Sequence, residues 1–362
     1  MIVGTRPEII KMAPVIKELE YRGLDYIFLH SGQHYDFEMS SIFIEQLNLP
    51  KPLESIYLSS RSPGSLIGEM MIKLESALNK HGKVKITLIQ GDTNTMLAAG
   101  LTSLKLGAKI GHVEAGLRSY DWRMPEEHNR RAIDHVSDYL FAPTESARRN
   151  LIDENAWGEI FVTGNTIIDS LDLYFDQISR VESSVLENIK FDEYALLTVH
   201  RSENVDDKAA LKDIVTIISR SPIPIVFPAH PRTLRRLEEF NFLADLKELR
   251  NVQILQPQGY LEFLSLLKNC EIVLTDSGGV QEEITYPKIR KRALVLRKST
   301  ERPEAVTFGF ARVVGTNPVV VLAELERALN EKVILPDKSP FGDGKAARRI
   351  VDVIQQKLEE VC

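Results

Sequence analysis

Cysteine is scarce in this chain: of 362 residues, only Cys270 and Cys362 carry a thiol. Two thiols exclude a disulfide framework and a cysteine-built zinc site, and they fit a reducing cytoplasm. An excess of positive charge is also missing. The formal net charge of −6 leaves no basic footprint for nucleic acid. No apolar run approaches the ~18 residues of a membrane span, and no secretory leader opens the sequence. A soluble, cytoplasmic protein with no membrane partner is expected. Three cofactor motifs are absent as well. No Gly-x-Gly-x-x-Gly follows the first apolar segment, which argues against NAD, and no Gly-x-x-x-x-Gly-Lys-Ser/Thr occurs, which argues against a P-loop ATPase. There is no His-Glu-x-x-His. His112 and His128 could meet a metal with Asp92, but no spacing demands it, so no metal is expected.

What the chain does have is a rhythm of short apolar segments, each followed by a polar cluster. A hydrophobic content of 43% is ordinary for a globular protein, and the length suggests roughly two domains. Lys85–Gln90 ends in Gly91-Asp92-Thr93, and Ala108–Val113 ends in Glu114-Ala115-Gly116. Ala195–Val199 ends in His200-Arg201-Ser202, and Ile272–Thr275 ends in Asp276-Ser277-Gly278-Gly279. Helical spacing separates these segments, as in Ile9, Met12, Ala13, Ile16 and Leu19. Alternating strands and helices predict an α/β protein with parallel sheets. In a doubly wound parallel sheet all the polar clusters fall on one edge, where such sheets bind ligands. The reading is two Rossmann-like domains facing an interdomain cleft: residues 1–180, then 181–340, with a last helix in 341–362 crossing back to the first. The linker is placed in the charged, aperiodic stretch Arg180–Asp192. The first strand, Met1–Val3, is short, so it is expected to continue upstream.

The densest cluster is Gly111-His112-Val113-Glu114-Ala115-Gly116-Leu117-Arg118, continued by Pro125-Glu126-Glu127-His128-Asn129-Arg130-Arg131. So many ionisable groups at one strand end are expensive unless they act; the other reading is an ion-pair network around a loop. Asp92 reads either as a ligand-facing carboxylate or as a helix cap. At the N-terminus, strand, Gly-Thr turn and helix aim backbone N–H groups outward beside Arg6 and Lys11, which suits an anion or a plain capped helix. Ser277-Gly278-Gly279 repeats that arrangement, with Arg302 as a candidate cation and a neighbouring glutamate as a ribose contact. Asp92, Glu114 and Glu126 are candidates for proton transfer, with His200 as a further acid or a diphosphate contact.

Long motifs carry a resemblance. Gly4-Thr5-Arg6-Pro7-Glu8, Gly91-Asp92-Thr93, Gly111 to Arg118, Pro125 to Arg130, Thr275 to Glu283 and Thr300-Glu301-Arg302-Pro303-Glu304 look like those of the non-hydrolysing UDP-N-acetylglucosamine 2-epimerases. The likeness covers essentially the whole chain. It implies a glycosyltransferase-B-like fold, a homodimer, UDP-GlcNAc as substrate, no redox cofactor, and a role in polysaccharide biosynthesis. It implies Asp92, Glu114 and Glu126 as the acid–base set and His200 as support for departing UDP. Arg6, Lys11, Gln258, Phe263, Ser277, Gly278, Gly279, Glu283 and Arg302 match UDP-site positions, and Gln33, His34 and Arg61 lie in loops that could form a second, activating UDP-GlcNAc site. The sequence departs from the family at Tyr286 to Arg292, a longer and more basic segment than the usual turn, and at Ser202, where many bacterial members carry Arg. A hydrolysing relative, a glycosyltransferase on the same scaffold and a non-catalytic nucleotide-sugar sensor stand as alternatives.

Overall fold

The structure is a computed structural model that describes residues 1–33, 43–60 and 62–360. It contains two compact units, Met1–Leu173 with Phe341–Cys362, and Tyr174–Pro340.

Among the described residues, the first unit holds seven parallel strands. β1 (Ile2–Val3) pairs with β2 (Leu29–Gln33), and β2 with β3 (Glu54–Leu58). A second ladder runs β4 (Ile86–Gln90), β5 (Lys109–Val113), β6 (Tyr139–Ala142), β7 (Glu159–Val162). β1 packs beside β4 without a ladder, because two residues offer too little edge to pair on both sides. Two expectations shift here. From the sequence, Asp25–His30 reads as the second strand, with Gln33 in the polar loop beyond it. Instead β2 starts at Leu29, where β1 can meet it, and runs to Gln33 opposite Leu58. β3 carries no continuous apolar run, being half-buried at the sheet edge, and so left little trace in the sequence.

The core of this unit gathers Ile2, Leu29, Ile56, Leu74, Ile89, Met96, Ile110 and Ile133, each buried. Each fully buried aliphatic side chain contributes about 1.5–3 kcal/mol relative to exposure. Helix Asn94–Lys105 begins where Thr93 accepts the amide of Met96, and helix Pro125–Val136 begins with Pro125 and two acidic residues, which suit the positive helix end. The last helix, Ala346–Glu360, packs on helix Arg6–Tyr21, with Arg22 2.7 Å from Asp352. Its first amides are held by Asp169, which accepts from Ala347 N at 2.8 Å.

The second unit is a six-stranded parallel sheet of β8 (Ala195–Thr198), β9 (Ile225–Pro228), β10 (Val252–Leu255), β11 (Ile272–Thr275), β12 (Arg292–Val295) and β13 (Ala311–Val313). The spatial order is β10-β9-β8-β11-β12-β13, the doubly wound order that reverses between its first and fourth strands. Ligands of such sheets bind at that reversal, beyond the carboxyl ends of β8 and β11. Leu197, Ile214, Phe227, Leu274, Leu296, Val321 and Leu325 fill its core. The stretch expected as a linker is helical as far as Leu186, in a single helix from Thr166 within which the two units part. Ile178, Val181 and Val185 continue the helical spacing through its charged residues.

Candidate active site

Three loops at the carboxyl edge of the first unit's strands carry its ionisable groups. After β1, the turn Gly4-Thr5 points two amides at Glu8, which accepts from Gly4 N at 2.5 Å and Thr5 N at 2.9 Å. Thr93, after β4, donates its hydroxyl to the same carboxylate at 2.7 Å. Burial pushes the Glu8 carboxyl up to about 7, against those hydrogen bonds. Lys11, one turn on, is buried, and its ammonium lies 2.5 Å from Oε2 of Glu114. Gln90, the last residue of β4, donates to that same oxygen at 2.7 Å. Glu114 sits at φ 72°, a left-handed backbone that few non-glycine residues adopt. This places its side chain among Lys11 and Gln90.

Asp92 is clasped by Arg130, whose Nε and Nη2 lie 3.0 and 2.6 Å from Oδ2. Arg130 in turn meets Glu127 at 3.0 Å. Burial would raise Glu127, but the Ser119 amide and the Arg130 charge hold its carboxyl below the usual range. Glu126 is half-buried at the second position of helix Pro125–Val136. Asn129, on that helix, donates to the Asp92 carbonyl at 3.0 Å. Arg6 stacks over the Phe43 ring at 4.5 Å. The structure thus brings Lys11 to Glu114, and Asp92 to the helix that carries Glu126. Sequence reasoning missed Glu8 and Gln90 as partners; their one signal was a polar side chain beside a strand end.

The second unit's polar rim is organised by Asp276, fully buried after β11. It accepts the amides of His200 and Arg201 and the side chain of Asn204 at 3.0 Å. His200 Nδ1 lies 3.3 Å from Oδ1 of Asp276, with the imidazole 35% exposed. Burial lowers the His200 proton affinity; Asp276 opposes this, while Arg201, Arg232 and Arg297 reinforce it. A chain of buried ion pairs backs the Ser277-Gly278-Gly279 turn. Arg297 meets Glu301 at 2.7 Å, Glu301 meets Arg302 at 3.4 Å, and Arg302 meets Glu282 at 2.5 Å. Of the two glutamates beside that turn, Glu282 is therefore the partner of Arg302. Glu283 is buried at the end of helix Gly278–Glu283. Gln258 bonds to the Gln256 carbonyl, and Phe263 is half-buried in helix Tyr260–Asn269. In the departing segment, Arg290 reaches Asp337 at 2.8 Å and Arg292 bonds to the Ala328 carbonyl, so these two basic residues hold the end of helix Pro318–Asn330 and the loop after it.

His34 and Arg61 lie outside the described residues; Gln33 ends β2, and its side chain is not described. The metal grouping weighed for His112, His128 and Asp92 does not form. His112 is taken by Asp134 and Gly91, and His128 bonds to the Trp122 carbonyl. Among the described residues there is no cluster of three or more metal-binding side chains, and no helix long and apolar enough to cross a membrane.

A family model described as UDP-N-acetylglucosamine 2-epimerase matches residues 17–355. The chain belongs to the UDP-N-acetylglucosamine 2-epimerase family. Within that epimerase family, a Methanocaldococcus jannaschii UDP-N-acetylglucosamine 2-epimerase is 45% identical over 98% of this chain and 98% of its own length. A crystal structure of the enzyme from that organism, in complex with UDP-GlcNAc and UDP, superposes with a TM-score of 0.92 at 45% identity, covering 98% of both chains. A Pseudomonas aeruginosa UDP-2,3-diacetamido-2,3-dideoxy-D-glucuronate 2-epimerase is 38% identical over 98% of each chain. The motifs read in the sequence and the fold of both units agree with this isomerase family.

Proposed function

We propose that this chain interconverts UDP-N-acetylglucosamine and UDP-N-acetylmannosamine by eliminating and re-adding UDP. The observation that carries the proposal is the set of carboxylates at one sheet edge, with Glu114 against Lys11 and Asp92 against Arg130. The hydrogen on C2 of the sugar has no neighbouring carbonyl to accept its electrons. Its removal therefore needs a bond that breaks alongside it. A carboxylate takes the C2 proton, the C2–H pair becomes the C1=C2 bond, and UDP leaves with the C1–O pair. The products are 2-acetamidoglucal and UDP. In the return step a UDP oxygen attacks C1, and C2 takes a proton on the opposite face. The steps are redox-neutral, and two-faced proton transfer requires more than one acid–base group.

Asp92, Glu114 and Glu126 are the proposed acid–base set. The departing diphosphate needs charge stabilisation more than the ground state does. His200 and Arg302, with the amides of Ser277, Gly278 and Gly279, are proposed to supply it; Arg6 and Lys11 add cations, and Gln258, Phe263 and Glu283 would hold the nucleoside. An arriving diphosphate favours the imidazolium form of His200, whose proton affinity burial lowers, so binding would add a second N–H donor to the ring. A homodimer in the cytoplasm is proposed from the family resemblance alone.

Proton NMR of UDP-GlcNAc with the enzyme in D2O tests the proposal. UDP-ManNAc bearing deuterium at C2, with little free sugar, is the expected result. Free ManNAc with UDP would replace the proposal by the hydrolysing reaction. An unchanged spectrum, together with turnover of a diacetamido-glucuronate nucleotide, would move the substrate toward that of the Pseudomonas relative.

A further inference from the structure

His112, in β5, is fully buried. Its Nδ1 lies 2.7 Å from Oδ1 of Asp134, and its Nε2 lies 2.9 Å from the carbonyl oxygen of Gly91. A backbone carbonyl only accepts hydrogen bonds. Asp134 is committed as an acceptor too: Oδ2 takes the Arg118 guanidinium at 2.8 Å, and its oxygens share the amide of Gly116. Burial pushes Asp134 up, but His112 and Arg118 outweigh it and keep the carboxyl below the usual range. With an acceptor at each nitrogen, the ring must donate from both, and a ring that donates from both is an imidazolium.

We infer that His112 is a positioning residue for the epimerisation, a buried, doubly donating imidazolium that ties the Gly91–Asp92 turn to helix Pro125–Val136. The inference rests on the acid–base role proposed for Asp92. Gly91 turns at φ 82°, and the residue that follows it is Asp92. The Nε2–H of His112 fixes the Gly91 carbonyl before Asp92, Asn129 fixes Asp92's own carbonyl, and Arg130 fixes its carboxylate. Two residues beyond His112 is Glu114. Asp134 is on the helix that carries Glu126, and its seat for the Gly116 amide holds the Glu114 loop. One imidazolium–carboxylate pair thereby registers all three proposed acid–base residues. The charges facing it are Asp134 and, behind Asp134, Arg118, which also pairs with Glu154 at 2.7 Å.

Full-length protein labelled with 15N-histidine provides the direct test. Two slowly exchanging ring N–H signals from His112 are expected. One signal alone overturns the inference, whatever the activity. This readout is independent of turnover, so its failure is distinguishable from failure of the proposed reaction, which wild-type turnover in D2O reports. The second test is His112→Gln, with Asp134→Asn as the alternative should the first variant not fold. A displaced carboxylate lowers kcat by about 100-fold, while KM for UDP-GlcNAc and affinity for UDP stay within about threefold. A folded variant with wild-type kcat, or one in which UDP affinity falls as far as kcat, overturns the positioning role.

Discussion

Glu8 is held where its charge is opposed: it is buried, and its carboxyl is raised to about 7. An unfolded glutamate titrates near 4.5, so between those two values the folded chain binds the extra proton. Stability on this account is greatest at the acid end, falls as pH rises from about 4.5 to about 7, and is flat beyond. The full loss is on the order of 3 kcal/mol, from ~1.4 kcal/mol per unit of displaced pKa. Glu8→Gln removes the titration while keeping an oxygen for the Gly4 and Thr5 amides. The melting temperature of this variant minus that of wild type should therefore become more positive from pH 5 to pH 8. A difference that does not change with pH would show that Glu8 is not displaced. The sequence offered Glu8 only as a neighbour of Arg6 and Lys11. Its burial depends on Thr93, 85 positions away, a distance no local pattern spans.

At the scale of elements, the central strands were legible because they are apolar on both faces. Ile272–Thr275 appears as the sequence suggested, and Ala195–Val199 does so to within one residue. The edge strands β3 and β13 were not, since they are only partly buried and carry polar residues within them. The polar clusters were legible by position, after strands, but not by partner. The Ser277 turn shows why: its shape depends on Glu301, one strand later. A Cβ on Gly278 would lie 2.6 Å from Oε1 of Glu301, whereas one on Gly279 meets only Ser277 Oγ at 4.0 Å. Glu301 cannot yield freely, because Arg297, Arg302 and Arg201 all face it. Gly278→Ala should lower stability by about 1–3 kcal/mol and weaken UDP binding about tenfold, whereas Gly279→Ala should leave the melting temperature unchanged. Calorimetry and thermal melts of the two variants read this directly. Equal destabilisation would mean that Glu301 is not what makes Gly278 necessary.

Over the whole molecule, the proposed roles divide between the units, apart from the Arg6 and Lys11 cations that the first unit adds for the diphosphate. Asp92, Glu114 and Glu126 belong to the unit containing Met1–Leu173, and His200, Ser277, Gly278 and Arg302 to the unit Tyr174–Pro340. Each group hangs from a separate parallel sheet with its own core, so a change in one need not disturb the other. If proton transfer and diphosphate binding divide in the same way, kinetic constants should divide with them. Asp92→Asn, Glu114→Gln and Glu126→Gln should each lower kcat by about 100-fold or more, with UDP affinity within about threefold. Arg302→Ala should do the reverse to binding: UDP affinity falls, and Glu282, left as a buried carboxylate without its guanidinium, lowers the melting temperature as well. Calorimetric titration with UDP and single-turnover measurements on the four variants separate the two patterns. Loss of UDP affinity across the three carboxylate variants, matching their loss of turnover, would mean that the carboxylates bind the nucleotide and that the division by unit does not hold.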